Sequence, residues 1–171
     1  MKLIFDKLVS KETIKRKCEM EGIGRYSAAV YRLGQSIFNS KLKDLDISSG
    51  QYDFFLVIAK NEGINQKELG EWLYVEKSTT AKAVRQLETK GYICKKQVKK
   101  DKRYSSLYLT EKGREAASVV ESVFNEMLDV YSKDIPENVI EDNISVLKKV
   151  INNLQEEKSR YTMSDRLTED C

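Results

Sequence analysis

Residues 77–104, KSTTAKAVRQLETKGYICKKQVKKDKRY, decide the fold. Thr80, Ala83, Val84 and Leu87 recur at i, i+3, i+4 and i+7, which predicts a helix with a small, modestly apolar buried face. Ser78, Thr79, Lys82, Arg85 and Gln86 fall on the opposite side. Gly91 closes the helix, because a glycine enters the left-handed conformation without a Cβ penalty. Tyr92-Ile93-Cys94 then begins a strand, Lys99, Lys100, Asp101 and Lys102 form a turn, and Leu107 and Leu109 alternate with Ser106 and Tyr108 in the returning strand. The segment holds ten Lys or Arg against Glu88 and Asp101, a formal +8 in a chain whose net charge is +3, so the remainder carries −5. Such an asymmetry suits a meeting with a polyanion.

Upstream, residues 64–76 supply the helix that precedes it. Asn65 with Glu68 is a capping pair, Leu69, Trp72 and Leu73 are the expected buried positions, and Glu76 is placed to cap the basic helix with a carboxylate at its positive end. Two helices joined by a few residues form a helix-turn-helix, and the hairpin makes it winged. Before it, Ser48 with Gln51 caps a helix carrying Tyr52, Phe55, Leu56 and Ala59, which Gly63 ends. Tyr26, Val30, Leu33 and Ile37, with Leu42 and Leu45 beyond, give a long amphipathic helix over 23–47. Residues 1–22 are expected to be an arm or short helix.

Downstream, Thr110 and Glu111 start a helix on which Ala116, Val120, Val123, Met127 and Tyr131 align. Pro136 suits the first turn of a last helix, whose Ile140, Ile144, Leu147, Ile151 and Leu154 form a coiled-coil-like seam. The polar residues 159–171 are expected to be disordered. The fold class is mainly α with a small β-hairpin wing. The winged helix-turn-helix lobe spans 48–113, with dimerisation helices over 23–47 and 114–158. Three long apolar stripes exceed what one small domain needs, so they are expected to meet a second copy of the chain.

Several classes read poorly. There is no histidine, no G-x-x-x-x-G-K-[ST] and no G-x-S-x-G, so no catalytic constellation presents itself and an enzyme is not expected. Cys18, Cys94 and Cys171 form no C-x-x-C pair, so neither metal nor other cofactor is expected and a reducing cytoplasm is the easier setting. No apolar run reaches the roughly 20 residues of a membrane span, and Asp6 interrupts the N-terminal apolar stretch of a would-be signal peptide.

A major groove accepts one helix, whose hydroxyls, amides and cations reach base edges. Ser78, Thr79, Lys82, Arg85 and Gln86 are the candidate contacts from the helix. In the wing, Lys99, Lys100 and Lys102 are candidate backbone contacts and Arg103 a minor-groove contact, with Asp101 holding the arginine's direction. The bland reading of a lysine-rich hairpin is a solvated face, and the adjoining helix-turn-helix weighs against it.

Residues 64–113 resemble the MarR (multiple antibiotic resistance regulator) family of winged helix-turn-helix transcription factors. The resemblance rests on the Leu87-Glu88 to Gly91 helix end, the wing triplet Asp101-Lys102-Arg103 and the exit Leu109-Thr110-Glu111-Lys112-Gly113. It implies a homodimer on a pseudo-palindromic double-stranded operator, commonly as a repressor, with a small anionic aromatic effector between the DNA-binding lobe and the dimerisation helices. It also implies DNA contact at Arg103 supported by Asp101. Thr80 and Ala83 depart from the family's bulkier aliphatics, so the recognition helix packs either closer or more loosely.

Tyr26, Tyr52 and Phe55 are read as core or interface, with the lining of an effector pocket as the functional alternative. Trp72 is read as core beside Leu69 and Leu73. Arg16 and Lys17 flank Cys18 and would favour a thiolate if they stay near it. An inert Cys18 is nonetheless expected, with a redox-sensing regulator as one alternative and a winged-helix protein-interaction module as the other.

Overall fold

The computed structural model describes residues 22–98 and 101–169, with side chains over 22–97 and 105–161. The expectations for residues 1–21, Lys99, Lys100 and Cys171 lie outside that range, as do those for the side chains of Asp101, Lys102 and Arg103. In chain order the elements are α1 (Ile23–Lys41), a 3-10 turn (Lys43–Leu45), α2 (Ser49–Lys60), α3 (Gln66–Trp72), α4 (Lys77–Thr89), β1 (Ile93–Val98), β2 (Asp101–Leu109), α5 (Glu111–Ser132) and α6 (Glu137–Glu169). They fall into two compact units that divide after Asn125, within α5.

The first unit is built on α2. Its capping pair forms, Gln51 Oε1 accepting the Ser48 N–H at 3.2 Å. Its core is wider than a stripe, since Gln51, Tyr52, Phe54, Phe55, Leu56, Val57 and Ile58 are all buried and Ala59 only half so. The helix is short enough to be surrounded by its neighbours. Phe38 of α1 stacks on Tyr52 with ring centroids 3.9 Å apart, and Phe55 meets Tyr92 edge-on at 5.9 Å. Each such ring withdrawn from water contributes about 1.5–3 kcal/mol.

The expected stripe of α1 divides in two. Leu42 docks in the core beside Phe38, which the stripe does not include, while Tyr26, Val30, Leu33 and Ile37 stay exposed. In α3 the Asn65 side chain accepts the N–H groups of Lys67 and Glu68 at 2.9 and 3.0 Å, and Glu68 returns the contact to the Asn65 N–H at 3.1 Å. Trp72 is not core: it is 63% exposed. A seven-residue helix has room for one inward patch, and Leu69 and Gly70 fill it.

The buried face of α4 is Thr80, Ala83, Val84 and Leu87, as the spacing predicts. Of the two packings open to Thr80 and Ala83, the chain adopts the close one. A Cβ on Gly70 would lie 2.9 Å from Thr80 Oγ1, so α3 and α4 approach nearer than a side chain there permits. The Thr80 hydroxyl is satisfied by donating to the Glu76 carbonyl at 3.1 Å.

β1 and β2 pair antiparallel, Ile93 with Leu109 and Lys95 with Leu107, down to Val98 with Asp101. Asp101 and Lys102 therefore belong to β2 rather than to the expected turn, because that last pairing leaves only residues 99–100 between the strands. On its other edge β2 is held by residues 63–65: Gly63 N–H donates to the Leu107 carbonyl at 2.8 Å and Leu107 N–H to the Ile64 carbonyl at 2.9 Å.

Thr110 caps α5, its hydroxyl accepting the Gly113 N–H at 3.0 Å and donating to the Gly91 carbonyl at 2.6 Å. In the second unit Pro136 sits just before α6 and accepts from the Val139 and Ile140 N–H groups. The helix runs 33 residues to Glu169. The chain has one proline and no glycine beyond Gly113, so nothing interrupts the backbone ladder after Pro136. Ile144, Leu147 and Leu154 of the seam are exposed at 43–64%. No helix among the described residues is long and apolar enough to cross a membrane.

Candidate nucleic-acid interface

Burying Thr80, Ala83, Val84 and Leu87 turns the opposite side of α4 to solvent. Ser78, Thr79, Lys82, Arg85 and Gln86 are all exposed there, and Lys77 is exposed at the helix start. At 100° per residue, Ser78, Lys82 and Arg85 lie within an arc of roughly 60°, flanked by Thr79 and Gln86. The same arc includes exposed Thr89, which completes the i, i+4, i+7, i+11 series from Ser78 and which the sequence reading omits. Glu76 occupies the N-cap position in extended conformation, without a side-chain cap hydrogen bond.

The basic residues of the segment divide by role. Lys90 turns inward, its Nζ 3.2 Å from Asp46 Oδ1 and 3.2 Å from Gln51 Oε1, and also donating to the Asp46 carbonyl. Lys95 pairs with Glu88 at 2.6 Å. Lys96 lies over the Tyr108 ring at 4.6 Å, which fixes its stem against β2. Lys82 and Arg85 are therefore the described cations of this segment that stand on the exposed side of α4, with Lys77 exposed at its first turn.

Tyr92 anchors the far end of the helix. Its hydroxyl donates to the Leu45 carbonyl, and burial, with the nearby Asp46 carboxylate second, pushes its pKa up, keeping the donor protonated.

Other candidate sites separate. Tyr52 and Phe55 are buried in the core, whereas Tyr26 is 53% exposed. Tyr26 lies twelve residues before Phe38, about 18 Å along α1 from the Tyr52 contact. Within the chain, Tyr26 is thus separate from Tyr52 and Phe55. Cys94 is a free, half-buried thiol on β1. Among the described residues no cluster of Cys, Asp and Glu is placed to hold a metal ion.

A short helix packed closely on a polar, cation-bearing helix, followed by a two-stranded wing, defines a winged helix-turn-helix protein. The MarR family pattern matches residues 47–104. The uncharacterized HTH-type transcriptional regulator YybA of Bacillus subtilis is 38% identical over 95 residues, 56% of this chain and 63% of YybA, so the chain spans less than two thirds of that relative. The HTH-type transcriptional regulator BilQ of Clostridium symbiosum is 29% identical over 77% of this chain and 92% of its own. A crystal structure of a MarR-family transcriptional regulator from Listeria monocytogenes, complexed with 26mer DNA, has a TM-score of 0.74 at 31% identity, covering 81% of this chain and 92% of that one. The chain belongs to the MarR family. It is a transcriptional regulator with a DNA-binding fold, and not an enzyme.

Proposed function

We propose that the chain binds a pseudo-palindromic duplex operator as a homodimer in the cytoplasm and represses transcription until a small aromatic effector releases it. The observation that carries this reading is the exposed face of α4, with Ser78, Thr79, Lys82 and Arg85 together beside the basic wing. Ser78 and Thr79 contact phosphate or base near the helix start, Lys82 and Gln86 reach base edges, and Arg85 adds a further contact from the same helix. Lys99, Lys100 and Lys102 supply backbone attraction and Arg103 enters the minor groove, supported by Asp101. The exposed apolar positions of α1 and α6 support a second copy of the chain as partner. Release follows if the effector binds more tightly to a dimer whose recognition helices no longer fit successive grooves, and only by that difference in affinity.

The test is selection from randomised duplexes followed by anisotropy titration. An inverted repeat should be enriched, and its affinity should fall by roughly 10³-fold between 50 and 200 mM salt if about six phosphates are neutralised. Arg103→Ala should weaken binding by about 1–3 kcal/mol. An empty selection, or affinity indifferent to salt, would overturn the reading.

A further inference from the structure

Gln51 is a buried amide, 4% exposed, at the start of α2, and its orientation is not a free choice. Its Oε1 faces the Ser48 backbone N–H at 3.2 Å and the Lys90 ammonium at 3.2 Å. Both partners can only donate, so the end of the amide that meets them must be the oxygen. Lys90 is itself fixed by the Asp46 carboxylate at 3.2 Å. The amino end of Gln51 is then left to donate to Gln86 on α4, at 2.9 Å, and Gln86 answers with its own Oε1. Gln86 is exposed and continues the series of Thr79 and Lys82 at i, i+3 and i+7. With its oxygen turned inward to Gln51, its amide directs the amino group outward.

We propose that Gln51 is a specificity-determining positioning residue, which presents Gln86 to the major groove as a hydrogen-bond donor. This rests on the DNA-binding reading above. An unconstrained glutamine takes adenine with both ends of its amide, on N6 and N7. Gln86 held as a donor reads acceptors instead: guanine O6 and N7, thymine O4, or adenine through N7 alone. It rejects cytosine, whose major-groove edge offers only the N4 amino donor. The polarity begins at Asp46 and Lys90 and passes through Gln51 to the recognition helix.

The experiment is selection from randomised duplexes with the full chain as wild type, Gln86→Ala and Gln51→Glu. Gln86→Ala should erase preference at one position of each half-site and so locate the base that is read, and the wild type should hold guanine, thymine or adenine there. The carboxylate introduced by Gln51→Glu keeps the shape of the amide and the acceptor for Ser48 and Lys90 but offers Gln86 only oxygen, so the Gln86 amide must turn over and present its own oxygen. Preference at that position should shift by about tenfold towards cytosine, the other positions being unchanged. Three results would overturn the inference while leaving DNA binding intact: no position that depends on Gln86, cytosine there in the wild type, or a folded Gln51→Glu protein with the wild-type motif. The wild-type base decides even if Gln51→Glu does not fold. No enrichment by the wild type removes both readings together.

Discussion

Asp53 sits half-buried on α2, where burial raises its carboxyl pKa and a hydrogen bond with Tyr52 partly offsets the rise. The folded chain therefore holds this proton more tightly than the unfolded one, whose value is near 3.8. Below that value the group costs nothing. As pH rises towards the folded value the cost of the ionised form grows, and it then persists. Asp53→Asn should raise the melting temperature at pH 7, with the gain vanishing below about pH 4; a difference indifferent to pH would exclude this origin. Leu87 and Trp72 make the opposite pair. Leu87 is 0% exposed, so Leu87→Ala should cost about 2–5 kcal/mol in a denaturant titration. Trp72, at 63% exposure, should lose no more than roughly 0.5 kcal/mol on change to Ala. Leu87 is legible because three other positions share its period. Trp72 is not, because two turns of helix do not define a face.

Among the elements, α3 and the start of α5 depend most on single residues. Asn65 accepts two N–H groups at the head of a helix only seven residues long, so Asn65→Ala should cost about 1 kcal/mol in chemical denaturation. Gly113 is more stringent. A Cβ there would lie 2.0 Å from the Tyr92 carbonyl oxygen, the group that also accepts the Thr110 N–H at 3.0 Å. Gly113→Ala must push α5 away from the Tyr92 backbone just after α4, and should lower the melting temperature by more than about ten degrees, or prevent folding. The resemblance marks this glycine, but sequence alone does not say why a glycine is needed inside a helix. The answer is a backbone 21 residues away. The wing shows the same limit: alternation places Leu107 and Leu109 correctly, whereas the extent of the turn follows from the pairing of Val98 with Asp101.

For the whole molecule, the decisive quantities are the exposed seams and the divided charge. α6 has 33 residues, about 50 Å of helix, and Ile144, Leu147 and Leu154 on it are exposed in the single chain. Light scattering behind size exclusion should give a dimer mass. Leu147→Glu with Leu154→Glu should shift it to the monomer and cost DNA affinity together; a monomeric wild type would refute the pairing. The +8 of residues 77–104 overstates the exposed field, since Lys90 is engaged by Asp46 from outside the segment, whereas the Lys95–Glu88 pair is already counted in that sum. What the sequence determines by itself is whatever repeats along it: the periods of α1, α2, α4, α5 and α6, the caps at Ser48 and Asn65, and the basic wing, because these arise between neighbours a few residues apart. Only the tertiary structure decides how close α3 lies to α4, which lysines are already engaged, and which end of the Gln86 amide points outward. Those outcomes depend on Gly70, Asp46 and Gln51 meeting residues up to 44 positions away, and no local pattern records such meetings.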